Sequence, residues 1–177
     1  MGQFLPSLAA LVILRRAPRG ASFHLALAAG LLHVGSAATA QEMPLKGINT
    51  VSVLVSDLRD SAKSCGLDQT ELKEVPIHPL SGSRIKLTPE GAPISMAYYI
   101  EIGALQPTSN LCTGSIGISL WDLQPITAHG TTQYRKVTYW SVAYDVAASR
   151  ESFPNVVKDD IEAATKLFIA QWSQDQK

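Results

Sequence analysis

Two cysteines, Cys65 and Cys112, are the residues of this chain with the most definite chemistry. In an exported protein, a pair of cysteines is more often bonded than free. Redox-active cysteine pairs commonly have a C-x-x-C spacing, which this chain lacks. If the N-terminal export pattern described below is correct, we expect one structural disulfide between Cys65 and Cys112.

Other residue types that catalyse reactions do not form a recognisable motif. His78 and His129 are isolated in the sequence, whereas a metal site needs three or four convergent ligands. Ser115 and Ser119 follow glycines but lack the G-x-S-x-G pattern of a nucleophile elbow. No phosphate-binding loop or dinucleotide-binding pattern is present. We therefore predict neither a metal site nor a cofactor.

Two acids keep a hydrolase open as an alternative function. Glu101 and Asp145 lie in segments predicted to be strands, where they could form a pair of catalytic carboxylates. Solvated surface acids are far commoner than catalytic ones. We therefore predict that the chain is not an enzyme and keep the hydrolase as the second hypothesis.

Three aromatic residues, Tyr99, Trp121 and Tyr139, form the candidate binding surface. In the alternating pattern of the predicted strands they fall on the side opposite the apolar residues, among serine, glycine and alanine. Aromatic rings on an open sheet face suit a protein partner, a glycan or a second copy of the chain. Plain cross-strand packing of these rings is the alternative interpretation.

The elements that would position these residues are five strands and two helices. Alternating or β-branched runs predict the strands, which cover residues 48–57, 84–88, 94–104, 111–123 and 134–146. Asp68 and Glu71 form a capping box that predicts a helix start. Because Pro76 and Pro79 interrupt that helix, we expect it to be short or kinked and to end before Ser81.

The C-terminal segment is the clearest helix. Apolar residues recur at helical spacing, at Val157, Ile161, Ala164 and Phe168. The residues between the last two strands, including Pro125, His129 and Gly130, are predicted to form a loop. The fold class that fits this order is α+β, with a single antiparallel or mixed sheet of about five strands and both helices on one face.

The N-terminus has the pattern of a secretory signal peptide. Arginines 15, 16 and 19 precede an apolar run over residues 21–34, and Ala38 and Ala40 follow at the small-residue positions. The run is too short to span a bilayer stably. We predict cleavage after Ala40, which leaves residues 41–177 as one domain in the periplasm or outside the cell.

Charge argues against nucleic acid as a partner. The predicted mature chain carries 12 basic and 15 acidic side chains. Nucleic-acid and anionic-membrane binding both need a basic excess, which this chain does not have.

With these residues in view, the chain resembles small uncharacterised exported proteins of Gram-negative bacteria. The pieces that carry the resemblance are structural: S-V-L-V-S-D-L, Cys65-Gly66-Leu67, Leu111-Cys112 before I-x-I-x-L, and Leu123-Gln124-Pro125. In layout it is similar to small domains of periplasmic envelope accessory proteins, such as the N-terminal domain of TolB. This resemblance implies an accessory or binding module with a protein or glycan partner in the cell envelope, and it implies no activity.

Overall fold

The computed structural model describes residues 44–89, 92–94 and 96–177. The predicted signal peptide, residues 1–40, lies outside these ranges. The strands are β1 (Thr50–Val55), β2 (Lys86–Leu87), β3 (Ala97–Thr108), β4 (Leu111–Ala128) and β5 (Thr131–Ser149). The helices are α1 (Asp60–Ser64), α2 (Gln69–Ser81) and α3 (Phe153–Asp175).

The five described strands form one sheet in the order β2-β1-β3-β4-β5. β1 runs parallel to β2 and β3, and β3, β4 and β5 run antiparallel to one another. The predicted α+β class with a single five-stranded sheet is confirmed, and the sheet is mixed. Parallel neighbouring strands need a crossover connection, because a tight turn cannot join them. The connection from β1 to β2 contains α1 and α2.

The described residues form three helices, where we expected two. The additional helix, α1, has five residues, which is too few for a helical repeat of apolar side chains to be recognised. α2 begins as predicted, because the Asp68 side chain accepts a hydrogen bond from the backbone N–H of Glu71 at 2.9 Å. It then continues through Pro76 and Pro79 to Ser81, one residue beyond the predicted limit.

Helix α3 packs against the sheet through the predicted apolar stripe. Val157, Ile161, Ala164 and Phe168 are all buried. Three rings join the helix to β3 and β5: the Tyr98 ring lies 5.5 Å from Phe168, which lies 5.4 Å from Trp140. Contacts of this kind add to the free energy gained by burying apolar surface.

The hairpin of β4 and β5 is longer than the rest of the sheet. β3 pairs with β4 only as far as Trp121, whereas β4 and β5 stay paired to Ala128 and Thr131. Residues 122–137 therefore form a two-stranded projection, here called the arm. The predicted loop in this region is wrong: only His129 and Gly130 turn the chain, with φ of 51° and 76°, as in a two-residue hairpin turn.

Candidate functional site: an aromatic patch and a hairpin arm

Two of the three predicted surface aromatics meet on the sheet face opposite the core, here called the outer face. The rings of Tyr99 and Trp121 lie 6.1 Å apart, edge to face. The Lys136 ammonium lies 4.9 Å from the Trp121 ring centroid and 5.6 Å from that of Tyr99. A cation at this distance is attracted to the ring faces, so these three residues form one cluster, here called the aromatic patch.

The third aromatic, Tyr139, does not join this patch. Its hydroxyl donates to Asp122 Oδ1 at 3.2 Å and accepts from Gln124 Nε2 at 3.5 Å. Asp122 follows Trp121 in β4, and successive strand residues point to opposite faces. Tyr139 thus contacts side chains on the other face from Trp121.

A β-bulge separates these aromatics. Leu120 pairs with Trp140 and Trp121 pairs with Thr138, so Tyr139 is left as the additional residue of β5. Desolvation, and secondarily the negative charge of Asp122, raise the pKa of the Tyr139 hydroxyl. This environment stabilises its neutral, donating form.

The arm extends the outer face with exposed apolar side chains. Alternation from Trp121 places Leu123 and Pro125 on that face, and Tyr134 joins them because it pairs with Pro125. Leu123 is 57% exposed and Tyr134 is 71% exposed. Ile126, 46% exposed, lies on the opposite face of the arm. The patch and the arm together make a continuous strip of rings and aliphatic groups.

Within this strip one polar atom is unsatisfied. The indole nitrogen of Trp121 is buried and has no hydrogen-bond partner among the described residues. Leaving a buried donor unpaired costs about 1–3 kcal/mol.

The two acids of the hydrolase hypothesis lie on different strands of the outer face. Glu101 is on β3 and pairs with Gly117, and Asp145 is on β5 and pairs with Ser115. Because β4 lies between them, their backbones are roughly 12 Å apart. Glu101 borders one shallow depression and Asp145 another, so no single described cavity holds both carboxylates.

The isolated histidines have different surroundings. His78 is exposed near the end of α2, beside Glu162 of α3. The hydrogen bond and charge of Lys166 lower the pKa of the Glu162 carboxyl, with a smaller contribution from His78. His129 occupies the tip of the arm. Across the described ranges, His, Cys, Asp and Glu side chains form no group of three that could hold a metal ion.

A second concave region lies between β1, α2 and the segment that follows β2. This open depression of about 510 Å³ is bordered by Lys73, Glu74 and Ile77. It also includes Ser52 and Thr88, whose hydroxyl oxygens are buried without a hydrogen-bond partner in the described part of the chain.

The predicted disulfide is confirmed. Cys65 and Cys112 are bonded, with their Cα atoms 6.0 Å apart. The bond joins the residue after α1 to the beginning of β4. It therefore fixes the end of the hairpin that is farthest from the arm.

No protein-family model matches the chain, and no curated protein matches its sequence. The solved structures that match the chain include two of PelC. The dodecamer of a point variant of PelC from Paraburkholderia phytofirmans matches with a TM-score of 0.46 and 12% identity, over 73% of this chain and 92% of that one. The PelC dodecamer from the same organism matches with a TM-score of 0.42 and 12% identity, over 73% and 93% of the two chains.

In the described ranges no helix is both long enough and apolar enough to cross a membrane.

Proposed function

We propose that this chain is an exported, non-enzymatic accessory or binding module of the cell envelope. Its contact surface is the outer-face strip formed by the aromatic patch and the arm. Export is inferred from the basic, apolar and small residues of the N-terminus. The observation that carries the contact surface is the exposure of Leu123 and Tyr134 on a part of the hairpin that no other described strand supports.

The low stability expected of an unsupported arm favours a partner that covers it. A two-stranded projection is at best marginally stable in water, and exposed apolar side chains add no stability to it. A contiguous apolar strip rimmed by polar groups is typical of an interaction site. The arm therefore gains most from a partner that covers Leu123, Pro125 and Tyr134.

The chemistry of the strip favours a protein partner over a glycan. Leu123 and Pro125 are aliphatic and offer no hydrogen bonds from their side chains, so this part of the strip suits the apolar centre of a protein interface.

Site-specific photocrosslinking in the native envelope tests this proposal. A photoreactive residue replaces Tyr134 on the arm in one strain and Leu105 on β3 in another. Leu105 is a matched control because its side chain is 67% exposed and lies outside the arm. We expect a discrete crosslinked protein other than a second copy of this chain, identified by mass spectrometry, from position 134 and none from position 105. Equal crosslinking at both positions, or none at 134, would refute the proposed surface.

A further inference from the structure

The edge of the sheet formed by β5 is long, and beyond the bulge at Tyr139 it has few features that prevent pairing. β5 has 19 residues and pairs only with β4 among the described strands. From Val137 to Ser149 it contains no proline and one charged residue, Asp145. Natural proteins usually block edge strands with charges, prolines or short strands, because the free N–H and C=O groups can pair with another chain.

We propose that β5 pairs antiparallel with β5 of a second copy of this chain, around a two-fold axis at Ser141. The pairing joins the two sheets into one. A two-fold arrangement satisfies the same edge on both copies and leaves no further β5 edge to propagate the assembly. The pairing uses the backbone groups of the strand edge, so it does not rest on the proposed function, although Lys136 and Tyr134 lie in both surfaces.

The bulge at Tyr139 is compatible with this register. Before the bulge, outer-face residues have even numbers, such as Lys136, and after it they have odd numbers, such as Ser141 and Asp145. Two paired strands must match outer face with outer face. With the axis at Ser141, the bulge of each copy lies opposite a regular part of the partner's β5. Outer-face residues of one copy therefore lie opposite outer-face residues of the other, both before and after the bulge.

Charge complementarity supports the same register. Lys136 of one copy then lies opposite the partner's Asp145, and symmetry produces this pair twice. Lys136 and Asp145 are both exposed in the single chain, and pairing requires the Lys136 ammonium to leave the Trp121 and Tyr99 rings for the free edge of β5. An axis two residues farther along would instead place Asp145 opposite a serine and remove both pairs.

The length of β5 also fits this axis. Ser141 lies one residue from the midpoint of Thr131–Ser149, so nearly the whole strand is paired in the dimer. Each arm then lies along the second half of the partner's β5. Tyr134, 71% exposed in the single chain, would lie opposite the partner's Ala147, where a small side chain leaves room for the ring.

Cysteine crosslinking of the purified protein tests the register. Both native cysteines are bonded to each other, so Ser141→Cys introduces a single free thiol. At the axis, the two new thiols face each other, and mild oxidation should give a covalent dimer on a non-reducing gel. Ala147→Cys is the matched control, because its two copies would be roughly 40 Å apart. Equal crosslinking of the two variants would overturn the proposed register.

Charge reversal tests the interface without a new covalent bond. In sedimentation velocity we expect Lys136→Glu and Asp145→Lys each to weaken dimerisation at least fivefold, because each puts two like-charge pairs in contact. The double variant restores opposite charges and should recover dimerisation to within about twofold of the wild type. A wild-type protein that sediments only as a monomer, or a double variant as weak as the single ones, would overturn the proposal.

Discussion

The hydroxyl of Tyr98 on β3 lies 2.9 Å from Oγ1 of Thr165 on α3, inside the core between sheet and helix. Thr165 itself donates to the backbone oxygen of Ile161 at 2.7 Å. With its proton used there, Thr165 accepts from Tyr98, so the phenol is the donor in this pair. The two hydrogen bonds form a chain that begins on the sheet and ends on the helix backbone.

Because Tyr98 donates and Thr165 accepts, we expect substitutions of these two residues to change the free energy of unfolding by unequal amounts. Tyr98→Phe leaves the Thr165 bond to Ile161 intact, and we expect it to lower the free energy of unfolding by about 1 kcal/mol. Thr165→Val leaves the buried phenol without an acceptor and should cost more, about 2–3 kcal/mol. Urea unfolding of both variants measures the difference. A larger loss for Tyr98→Phe than for Thr165→Val would contradict the assigned donor.

Alkaline pH should destabilise the protein through the same tyrosine. Burial is the main cause that raises the pKa of Tyr98 far above its ordinary value of 10. Because this pKa is raised in the folded state, the contribution of Tyr98 to the free energy of unfolding is fully present below pH 10, the ordinary pKa of tyrosine. That contribution falls as the pH rises further. We expect a loss of about 1.4 kcal/mol by pH 11 from this residue alone.

Urea midpoints measured from about pH 8 to about pH 11 test this dependence. Tyr98→Phe should lose less stability than the wild type over that range. Tyr139 and Tyr144 leave a residual loss of the same sign, since desolvation raises their pKa values too. Identical pH profiles for the wild type and Tyr98→Phe would contradict the assignment to Tyr98.

Side-chain periodicity predicts the helix α3 and the three-strand meander well, because tertiary packing agrees with local pattern there. Val157, Ile161 and Phe168 recur at helical spacing, and all face the core. In the same way, Ile116 and Ile118 alternate with small residues on β4, and both are buried. The helix start at Asp68 was predictable because a capping side chain acts within three residues.

The arm could not be predicted by the same rules. Pro125 argues against a strand, since proline donates no backbone hydrogen bond. Beyond Trp121, however, β4 has lost β3 as a neighbour and one of its sides is open, where a proline is tolerated. The point at which β3 ends beside β4 is determined by tertiary structure and not by the sequence of β4. The His129-Gly130 turn was the local signal available, since a two-residue turn with positive φ is typical of tight hairpins.

The candidate surface was only partly predictable for a related reason. Simple alternation groups Tyr139 with Tyr99 and Trp121, but the bulge next to Trp140 changes the side-chain direction along β5. A bulge adds one residue to one strand of a pair, so it is determined by the pairing and not by either strand's own sequence. Lys136 joined the patch for the same reason.

Reducing the disulfide should destabilise the protein strongly. Cys65 and Cys112 are separated by 47 positions, and closing a loop of this length contributes about 4 kcal/mol in the chain-entropy model. We expect the urea midpoint of the Cys65→Ala/Cys112→Ala double variant to fall accordingly. The unreduced, denatured wild type should take up no alkylating reagent. Alkylation of both thiols without a reductant would contradict the bonded state.

Export predicts a defined N-terminus for the mature protein. If the basic, apolar and small residues act as a signal peptide, the protein recovered from the periplasm or medium begins at Gln41. Intact-mass measurement checks this directly. Ala38→Arg places a large charged residue at a position that requires a small one, and it should leave the precursor uncleaved. A full-length wild-type chain in the cytosolic fraction would contradict the prediction.

Two glycines of β4 are expected to differ in their tolerance of a methyl group. A Cβ at Gly114 would overlap the carbonyl oxygen of Gly103 on β3, which requires a shift of backbone. A Cβ at Gly117 would lie 4.0 Å from the nearest neighbouring atom, the carbonyl oxygen of Glu101. We expect Gly114→Ala to lower the free energy of unfolding by about 1–3 kcal/mol, as overpacking does. Gly117→Ala is the matched control and should change it by less than about 0.5 kcal/mol. Equal urea midpoints for the two variants would mean that β3 and β4 do not approach each other so closely at Gly114.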